Sequence, residues 1–379
     1  MLRVAAVFGT RPEAIKMAPV VRALRDCPET NVIVVSSGQH RDLLPQALAV
    51  FGLRADLDLG VMVEGQGLPA LSARALEGIA RALDDIRPDV VLVHGDTTTA
   101  MVGALAAFYQ RIPVGHVEAG LRTGQRYSPF PEEMNRLLAD RIAELHFAPT
   151  RSAAAHLAAE GIGPAGVYVT GNTGIDALLA LAGPRRRRPP GRPRLVVVEA
   201  HRRENAGAPM RGIADAVARL VHARPDVEVV WSVHPNPEVA GPVRLALQGQ
   251  PRVDLRTPPA YGEWARLLAE ADLLLTDSGG LQEEAPALGL PVLVLRGSTE
   301  RPEVVASGAG RLVGTDPERI LTEVGRLLED EAAYARMTAA GSPFGDGQAA
   351  RRTLEGLLFH FGLRSRPPDP FVAPERAAD

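Results

Sequence analysis

The chain has one cysteine, Cys27, so it has no partner for an internal disulfide and no thiolate set for a metal. Its place near the end of the first expected helix suits packing, and its isolation fits a reducing compartment. No run reaches the ~18 apolar residues a membrane span requires. No cationic segment and long apolar stretch come before the first strand-like run. The expected location is therefore the cytoplasm, with no membrane partner. Net charge is only −3, which gives nucleic acid or an anionic surface no electrostatic reason to bind. No G-x-G-x-x-G follows the first strand and no Walker A sequence occurs, which argues against a held nicotinamide and P-loop ATP chemistry. Histidines do not fall at metal-ligand spacings, and Ser278 lies in no G-x-S-x-G elbow. Neither a metal nor a cofactor is expected.

What is present is an ordinary globular composition, 46% hydrophobic and 23% charged, over 379 residues, long enough for two domains. Strand-like runs at Val4–Phe8, Val32–Ser36, Val90–Val93, Pro113–Val117, Leu145–Ala148 and Val167–Val169 alternate with helical patterns such as Glu13–Arg25, Leu68–Ile86 and Glu132–Ile142. This is the βαβα signature of a doubly wound sheet. A stretch rich in Pro, Gly and Arg at 183–193 reads as a linker. A second series follows: strands at Leu195–Val198, Val227–Ser232, Val253–Leu255, Leu273–Thr276 and Val292–Leu295, with helices between. The expected fold class is α/β, two Rossmann-like doubly wound domains facing across a cleft. The expected domains are 1–172 and 173–349, with a helix at about 350–363 packing back on the first and a mobile tail over 364–379.

The densest chemistry stands at strand ends. His94-Gly95-Asp96-Thr97 and His116-Val117-Glu118-Ala119-Gly120 close two strands joined by one helix-like stretch. Parallel neighbours in such a unit bring Asp96 and Glu118 to one edge of the sheet. Two acids together there suggest proton transfer. Pro131-Glu132-Glu133 enters a helix just beyond, which sets a third acid, Glu132, at a helix start. Gly9-Thr10-Arg11-Pro12, followed by Lys16, offers free amides and cationic donors suited to a diphosphate. Ser278-Gly279-Gly280 after Leu273–Thr276 offers the same in the second half, with Glu284 one turn on, within reach of ribose hydroxyls. His201-Arg202-Arg203-Glu204-Asn205 follows the first strand of that half and sets a titratable imidazole at its edge. Each motif taken alone also fits a capped helix or a charged surface loop.

Taken together, the strings FGTRPEAIKMAPVV, GQHRDLL, VLVHGDTTTA, VGHVEAGLRTG, SPFPEEMNR, VTGNTGIDAL, HRREN, VHPNP, TDSGGLQEEAPALG, TERPE and RLVGTD resemble the non-hydrolysing UDP-N-acetylglucosamine 2-epimerases. They run in order from Phe8 to Asp316. The resemblance implies a GT-B-like fold and reversible interconversion of UDP-GlcNAc and UDP-ManNAc, by elimination of UDP to 2-acetamidoglucal and its re-addition. It also implies a homodimer, no redox cofactor, and a place in cell-surface polysaccharide synthesis. It assigns catalysis to Asp96, Glu118, Glu132 and His201. To the UDP-sugar it assigns Arg11, Lys16, Arg136, Trp264, Ser278, Gly279, Gly280, Glu284 and Arg301, with Trp264 near the uracil. Close spacing of the three acids is expected to raise the pKa of one of them. Gln39, Glu133 and His234 match parts of an activator site found in some relatives. The strand before His201 departs from the family pattern, ending in Glu199-Ala200 where a small pair is usual. The other readings are a GT-B glycosyltransferase, a hydrolysing relative and a non-catalytic UDP-sugar sensor.

Overall fold

The computed structural model describes residues 1–185 and 191–374, which form two compact units. The first comprises Met1–Ala177 and Gly345–Val372. Its strands are β1 (Leu2–Phe8), β2 (Thr30–Ser36), β3 (Leu57–Asp58), β4 (Val90–His94), β5 (Val114–Val117), β6 (Leu145–Ala148) and β7 (Val167–Val169). Its helices are α1 (Arg11–Asp26), α2 (Leu43–Val50), α3 (Leu68–Ile86), α4 (Thr98–Tyr109), α5 (Glu132–Ile142), α6 (Arg151–Ala159) and the start of α7 (Thr173–Ala182). Among the described residues the sheet is parallel in the order β3-β2-β1-β4-β5-β6-β7. Every residue of β4 is buried, as the Val90–Val93 run requires of a parallel strand covered on both faces. α3 and α4 cover one face through Ile79, Leu83, Ala100 and Ala104, which meet Val7, Val91 and Val93.

The second unit runs from Leu178 to Phe344 and resumes at Ala373. It holds β8 (Arg194–Glu199), β9 (Val227–Ser232), β10 (Val253–Arg256), β11 (Leu273–Thr276), β12 (Val292–Val294) and β13 (Gly310–Leu312). Its helices are α8 (Ala208–Ala223), α9 (Pro237–Leu247), α10 (Tyr261–Glu270), α11 (Gly279–Ala287), α12 (Pro302–Ala306), α13 (Pro317–Glu329) and α14 (Glu331–Ala339). The sheet is again parallel, ordered β10-β9-β8-β11-β12-β13. Trp231 is fully buried in the core under α8, α9 and α13. In both sheets the strand order reverses at one point, between β1 and β4 and between β8 and β11. Open α/β sheets bind ligands beyond the strand ends at that point.

Three boundaries differ from expectation. The units divide inside α7, at Ala177, because Leu178 packs in the second unit's core with Leu195, Trp264 and Leu274. Of the expected linker, residues 186–190 lie outside the described residues; Arg185 bonds the Tyr334 hydroxyl at 2.8 Å. The expected tail does not leave the fold at residue 364. Arg364 pairs with Glu29 at 2.6 Å, the Phe371 amide donates to the Val169 carbonyl at 2.8 Å, and the Phe371 ring is buried. Residues 375–379 of that tail lie outside the described residues. The terminal helix, α15 (Ala349–His360), packs on α1 and β7. Its first amides, Ala349 and Ala350, are capped from a distance by the Asp176 carboxylate at 3.2 and 2.9 Å.

Candidate functional site

β4 and β5 pair in parallel, His94 opposite Val117, so Asp96 and Glu118 leave the sheet side by side. Glu118 has φ 67, a left-handed conformation that costs a non-glycine residue about 1–2 kcal/mol. Strain of this kind persists where the surroundings over-determine it. Here they do. The Glu118 and Ala119 amides both donate to the Phe147 carbonyl, and Arg136 donates to the Glu118 carbonyl at 2.7 Å. The other arm of Arg136 closes on the Asp96 carboxylate, while Lys16 closes on Glu118. Burial alone would push the Glu118 carboxyl up; Lys16 and Arg136 outweigh it and hold the group well below the usual carboxylate range. Glu118 is thus not an acid raised by its neighbours, because cations interleave with the carboxylates. Lys16, expected at a diphosphate, here pairs with an acid. It is the chain's only lysine among 42 Lys and Arg side chains, so a compact ammonium stands at this one position.

Glu132, Arg136 and Asp140 follow one another at four-residue steps along α5 and share one face. Glu132 opens the helix, partly exposed. Asp140 sits beneath, accepting from His116 Nδ1 at 2.6 Å and from the Gly120 amide at 3.2 Å, with Arg122 at 2.7 Å. His116 Nε2 in turn meets the Gly95 carbonyl at 2.7 Å. One buried carboxylate therefore ties down the turns carrying both Asp96 and Glu118. Sequence reading missed it because only tertiary folding brings α5 under both loops. His94, between those turns, is buried, and burial drives its pKa down to about 3, so its ring is neutral.

At the end of β1, Glu13 accepts from the Gly9 and Thr10 amides at 3.1 and 2.8 Å and from the hydroxyls of Thr10 and Thr97 at 2.7 and 2.8 Å. It joins the starts of α1 and α4 across the switch point. Burial raises its pKa to about 7 against those bonds. Gly9 is required here, since a Cβ would lie 2.0 Å from Ser37 Oγ and 2.5 Å from Thr99 Oγ1. The Arg11 side chain is exposed, and its amide donates to His40 Nδ1 at 3.2 Å. Two of the suggested activator residues are engaged by the fold. Gln39 accepts from Thr99 at 3.0 Å, and Glu133 accepts from the Thr123 and Gly124 amides at 3.1 and 3.0 Å.

In the second unit the organising residue is Asp277, fully buried after β11 and not anticipated from sequence. Its oxygens accept from the His201 and Arg202 amides at 3.0 Å each and from the Asn205 side chain at 2.8 Å. The HRREN loop is thereby clamped to the start of α11. Glu199, His201 and Asp277 form one close cluster of possible metal ligands. With those donors already on its oxygens, the Asp277 carboxylate serves as a loop clamp. His201 stacks on His234 with centroids 5.5 Å apart.

Ser278 caps α11 by position, and its side chain makes no capping bond to the first amides of the helix. Two guanidinium groups converge there: from the Cβ position of Gly279, Arg202 and Arg301 lie 3.6 and 3.7 Å away. Arg202 was not singled out in the sequence, where HRREN draws the eye to its histidine. Its Nε is buried without a hydrogen-bond partner among the described residues. Gly280 is exposed beside it, and the Glu283 carboxylate holds Arg301. Glu284 accepts from the Tyr261 hydroxyl at 3.0 Å. Trp264 is a core side chain, only 8% exposed, packed with Leu195, Leu268 and Leu274. Amides at a helix start, two guanidiniums and a positioned carboxylate suit a diphosphate followed by a polyol.

The sequence profile of the family described as UDP-N-acetylglucosamine 2-epimerase matches residues 22–358. The chain is 48% identical over 375 residues to the UDP-N-acetylglucosamine 2-epimerase of Bacillus subtilis, covering 98% of this chain and 99% of that one. Among solved structures, a putative UDP-N-acetylglucosamine 2-epimerase from Listeria monocytogenes aligns with TM-score 0.92 and 45% identity, covering 98% of this chain and all of that one. The Neisseria meningitidis UDP-GlcNAc 2-epimerase, solved bound to UDP-GlcNAc, aligns with TM-score 0.82 and 41% identity over 94% of this chain and 100% of its own.

Proposed function

The chain belongs to the UDP-N-acetylglucosamine 2-epimerase family, and we propose that it converts UDP-GlcNAc reversibly to UDP-ManNAc. The observation that carries this reading is the cation-bound acid pair Asp96–Glu118 at the switch point of the first sheet. In the first half-reaction the C1–O bond to UDP breaks and the proton on C2 is removed, leaving 2-acetamidoglucal. In the second, the β-phosphate oxygen of UDP adds back to C1 while C2 is protonated on the other face. Atoms balance without an oxidant or a metal.

The electrostatics divide the work among the acids. A carboxylate held ionised by two cations is a poor base but a good fixed anion, so Glu118 is assigned to stabilise positive charge that develops at C1. Asp96 and Glu132 are assigned the proton transfers at C2. Arg11, Lys16, Ser278, Gly279, Gly280 and Arg301 are assigned to the diphosphate, with Arg202 added to them, and Glu284 to the ribose. Trp264, assigned to the uracil by resemblance, is instead a core residue of α10, the helix that also carries Tyr261. His201 is assigned to assist departure of the diphosphate.

Proton NMR of the protein with UDP-GlcNAc in deuterated water tests the reading. UDP-ManNAc carrying deuterium at C2 is the expected product. Free ManNAc with UDP would point to a hydrolase, and unchanged substrate to a transferase or sensor. Arg202→Ala is expected to weaken UDP about 10- to 100-fold by calorimetry, as loss of charge-assisted bonds worth roughly 1.5–3 kcal/mol implies. An unchanged Kd would remove Arg202 from the site.

We also propose that two copies associate through the end of α4. Phe108 and Tyr109 are 60% and 65% exposed there, beside a groove lined by Ile112 and Ile142. Phe108→Glu is expected to shift the sedimentation mass from dimer to monomer. No helix among the described residues is long and apolar enough to cross a membrane. The reading puts the reaction in the cytoplasm and its product in the supply of precursors for cell-surface polysaccharide.

A further inference from the structure

We infer that Tyr261 is a positioning residue for Glu284: its hydroxyl fixes the plane of the carboxylate and so sharpens the choice of a ribonucleoside diphosphate over a deoxy one. The inference deepens the role given to Glu284 above and rests on it.

α10 and α11 each follow the carboxyl end of a parallel strand, so both begin at the ligand edge of the second sheet. They share one core, in which Trp264, Ala265 and Leu268 of α10 cluster with Leu281 and Ala285 of α11. Tyr261 opens α10, and Glu284 lies in the second turn of α11. The Tyr261 hydroxyl donates to Glu284 Oε1 at 3.0 Å. Burial pushes the phenol well above its ordinary pKa, and the charge and bond of Glu284 push it further. The hydroxyl therefore keeps its proton and remains a donor.

The polar neighbours of Glu284 on α11 are committed elsewhere. Gln282 is fully buried and accepts from the Thr299 hydroxyl, and Glu283 is buried against the Arg301 guanidinium. Glu284 is the acid of this helix that keeps exposed surface. At a rise of about 1.5 Å per residue it stands about 7 Å along the axis from the first amides. That span suits a diphosphate at the amides with its ribose at the acid.

The last torsion of a glutamate is broad and roughly two-fold, so the side chain does not set its own carboxylate plane. A donor held on one oxygen sets it before the nucleotide arrives, which lowers the cost of ordering on binding. Ribose presents two adjacent hydroxyls, and a carboxylate turned toward them can accept from both. A site built to hydrogen-bond a hydroxyl rejects the analogue lacking it, because its polar groups are then left unpaired. The carboxylate carries the discrimination; Tyr261 sets how much of it is realised.

The test compares UDP with 2′,3′-dideoxy-UDP by calorimetry. The wild type is expected to bind UDP about 10- to 100-fold more tightly, as charge-assisted hydrogen bonds imply. Tyr261→Phe removes only the hydroxyl oxygen. It should weaken UDP about 3- to 10-fold and leave dideoxy-UDP within about two-fold of wild type, so the ratio falls. The dideoxy-UDP affinity also shows that the diphosphate site of the variant is intact. Glu284→Gln should bring the ratio close to one. Equal weakening of both ligands by Tyr261→Phe would mean that the hydroxyl serves only the fold of α10. Unchanged binding of both would mean that it does nothing for the carboxylate. Either result overturns the inference. A wild type that does not discriminate removes the ribose from Glu284, and the inference falls with it. If Glu284→Gln abolishes discrimination and Tyr261→Phe does not, the ribose assignment stands and only the role of Tyr261 is lost. These ratios need no turnover, so a failure to epimerise would sink the function proposed above without altering them.

Discussion

Glu118→Gln is expected to lower turnover of UDP-GlcNAc by about 10²–10³-fold, the loss typical when one preorganised electrostatic group is removed, with UDP affinity within a few-fold of wild type. The anion faces Lys16 and Arg136, and its amide replacement would leave both cations without that counter-charge. A stability cost accompanies it, since breaking a buried ion pair on one side costs about 3–5 kcal/mol. Chemical denaturation of the variant must therefore be measured beside its kinetics. The two roles open to Glu118 give different results with UDP-GlcNAc labelled with ¹⁸O at the C1 bridge. Scrambling of the label into the other β-phosphate oxygens reports C1–O cleavage, and it should fall in step with turnover. Scrambling that survives while C2 exchange is lost would make Glu118 the base instead. Asp96→Asn should lose C2 exchange by about 10²–10⁴-fold. Near-normal turnover in both variants would overturn the assignment of catalysis to these acids.

Cations beside the buried acids set a direction for acid sensitivity. The Glu118 and Asp140 carboxyls are held below their ordinary range in the folded chain, Asp140 through His116 and Arg122 working against its burial. A depressed carboxyl stabilises the fold at pH values above its unfolded pKa. That contribution is lost only as pH falls through the depressed folded value. Glu118 and Asp140 should therefore stay ionised throughout the range in which such an enzyme works.

Much of this was legible in the chain itself. Buried parallel strands announce themselves as short, mostly apolar runs, so Leu145–Ala148, Val227–Ser232 and Leu273–Thr276 match the sequence reading to the residue. Polar residues after such runs sit at the ligand edge by topology alone, which is why Asp96, Glu118, His201 and Ser278 could be named. β3 was missed because two exposed residues carry no periodicity. The supports of the site were missed for a different reason: Asp140, Asp277 and Glu13 act through partners that no local spacing reveals. One signal was available and passed over. In a chain whose cations are otherwise all arginine, the lone lysine, Lys16, stands out, and it lies against Glu118. The tail misled because its prolines resemble a disordered end, whereas Arg364 on Glu29 and the amide and buried ring of Phe371 hold it to the fold.

Gly120→Ala is expected to be among the most damaging single methyls in the first unit. Gly120 has φ 82, where any side chain is strained, at about 1–2 kcal/mol for an L-residue. The added Cβ would also lie 2.3 Å from the carbonyl oxygen of Ala153 and 2.9 Å from Leu157 Cγ. The first obstacle is main chain of α6, which cannot turn aside as a flexible side chain would, so overpacking adds about 1–3 kcal/mol or more. Together these imply a loss of roughly 2–5 kcal/mol, read as a lower urea midpoint at unchanged slope. The damage should reach the chemistry as well, because the Gly120 amide donates to Asp140, and Asp140 holds His116 beneath the Gly95 turn. Displacing that amide loosens the loop that keeps Glu118 in its left-handed conformation. A variant with wild-type stability would show that α6 can move away from Gly120, and that the close approach of helix to loop is not what shapes the acid pair.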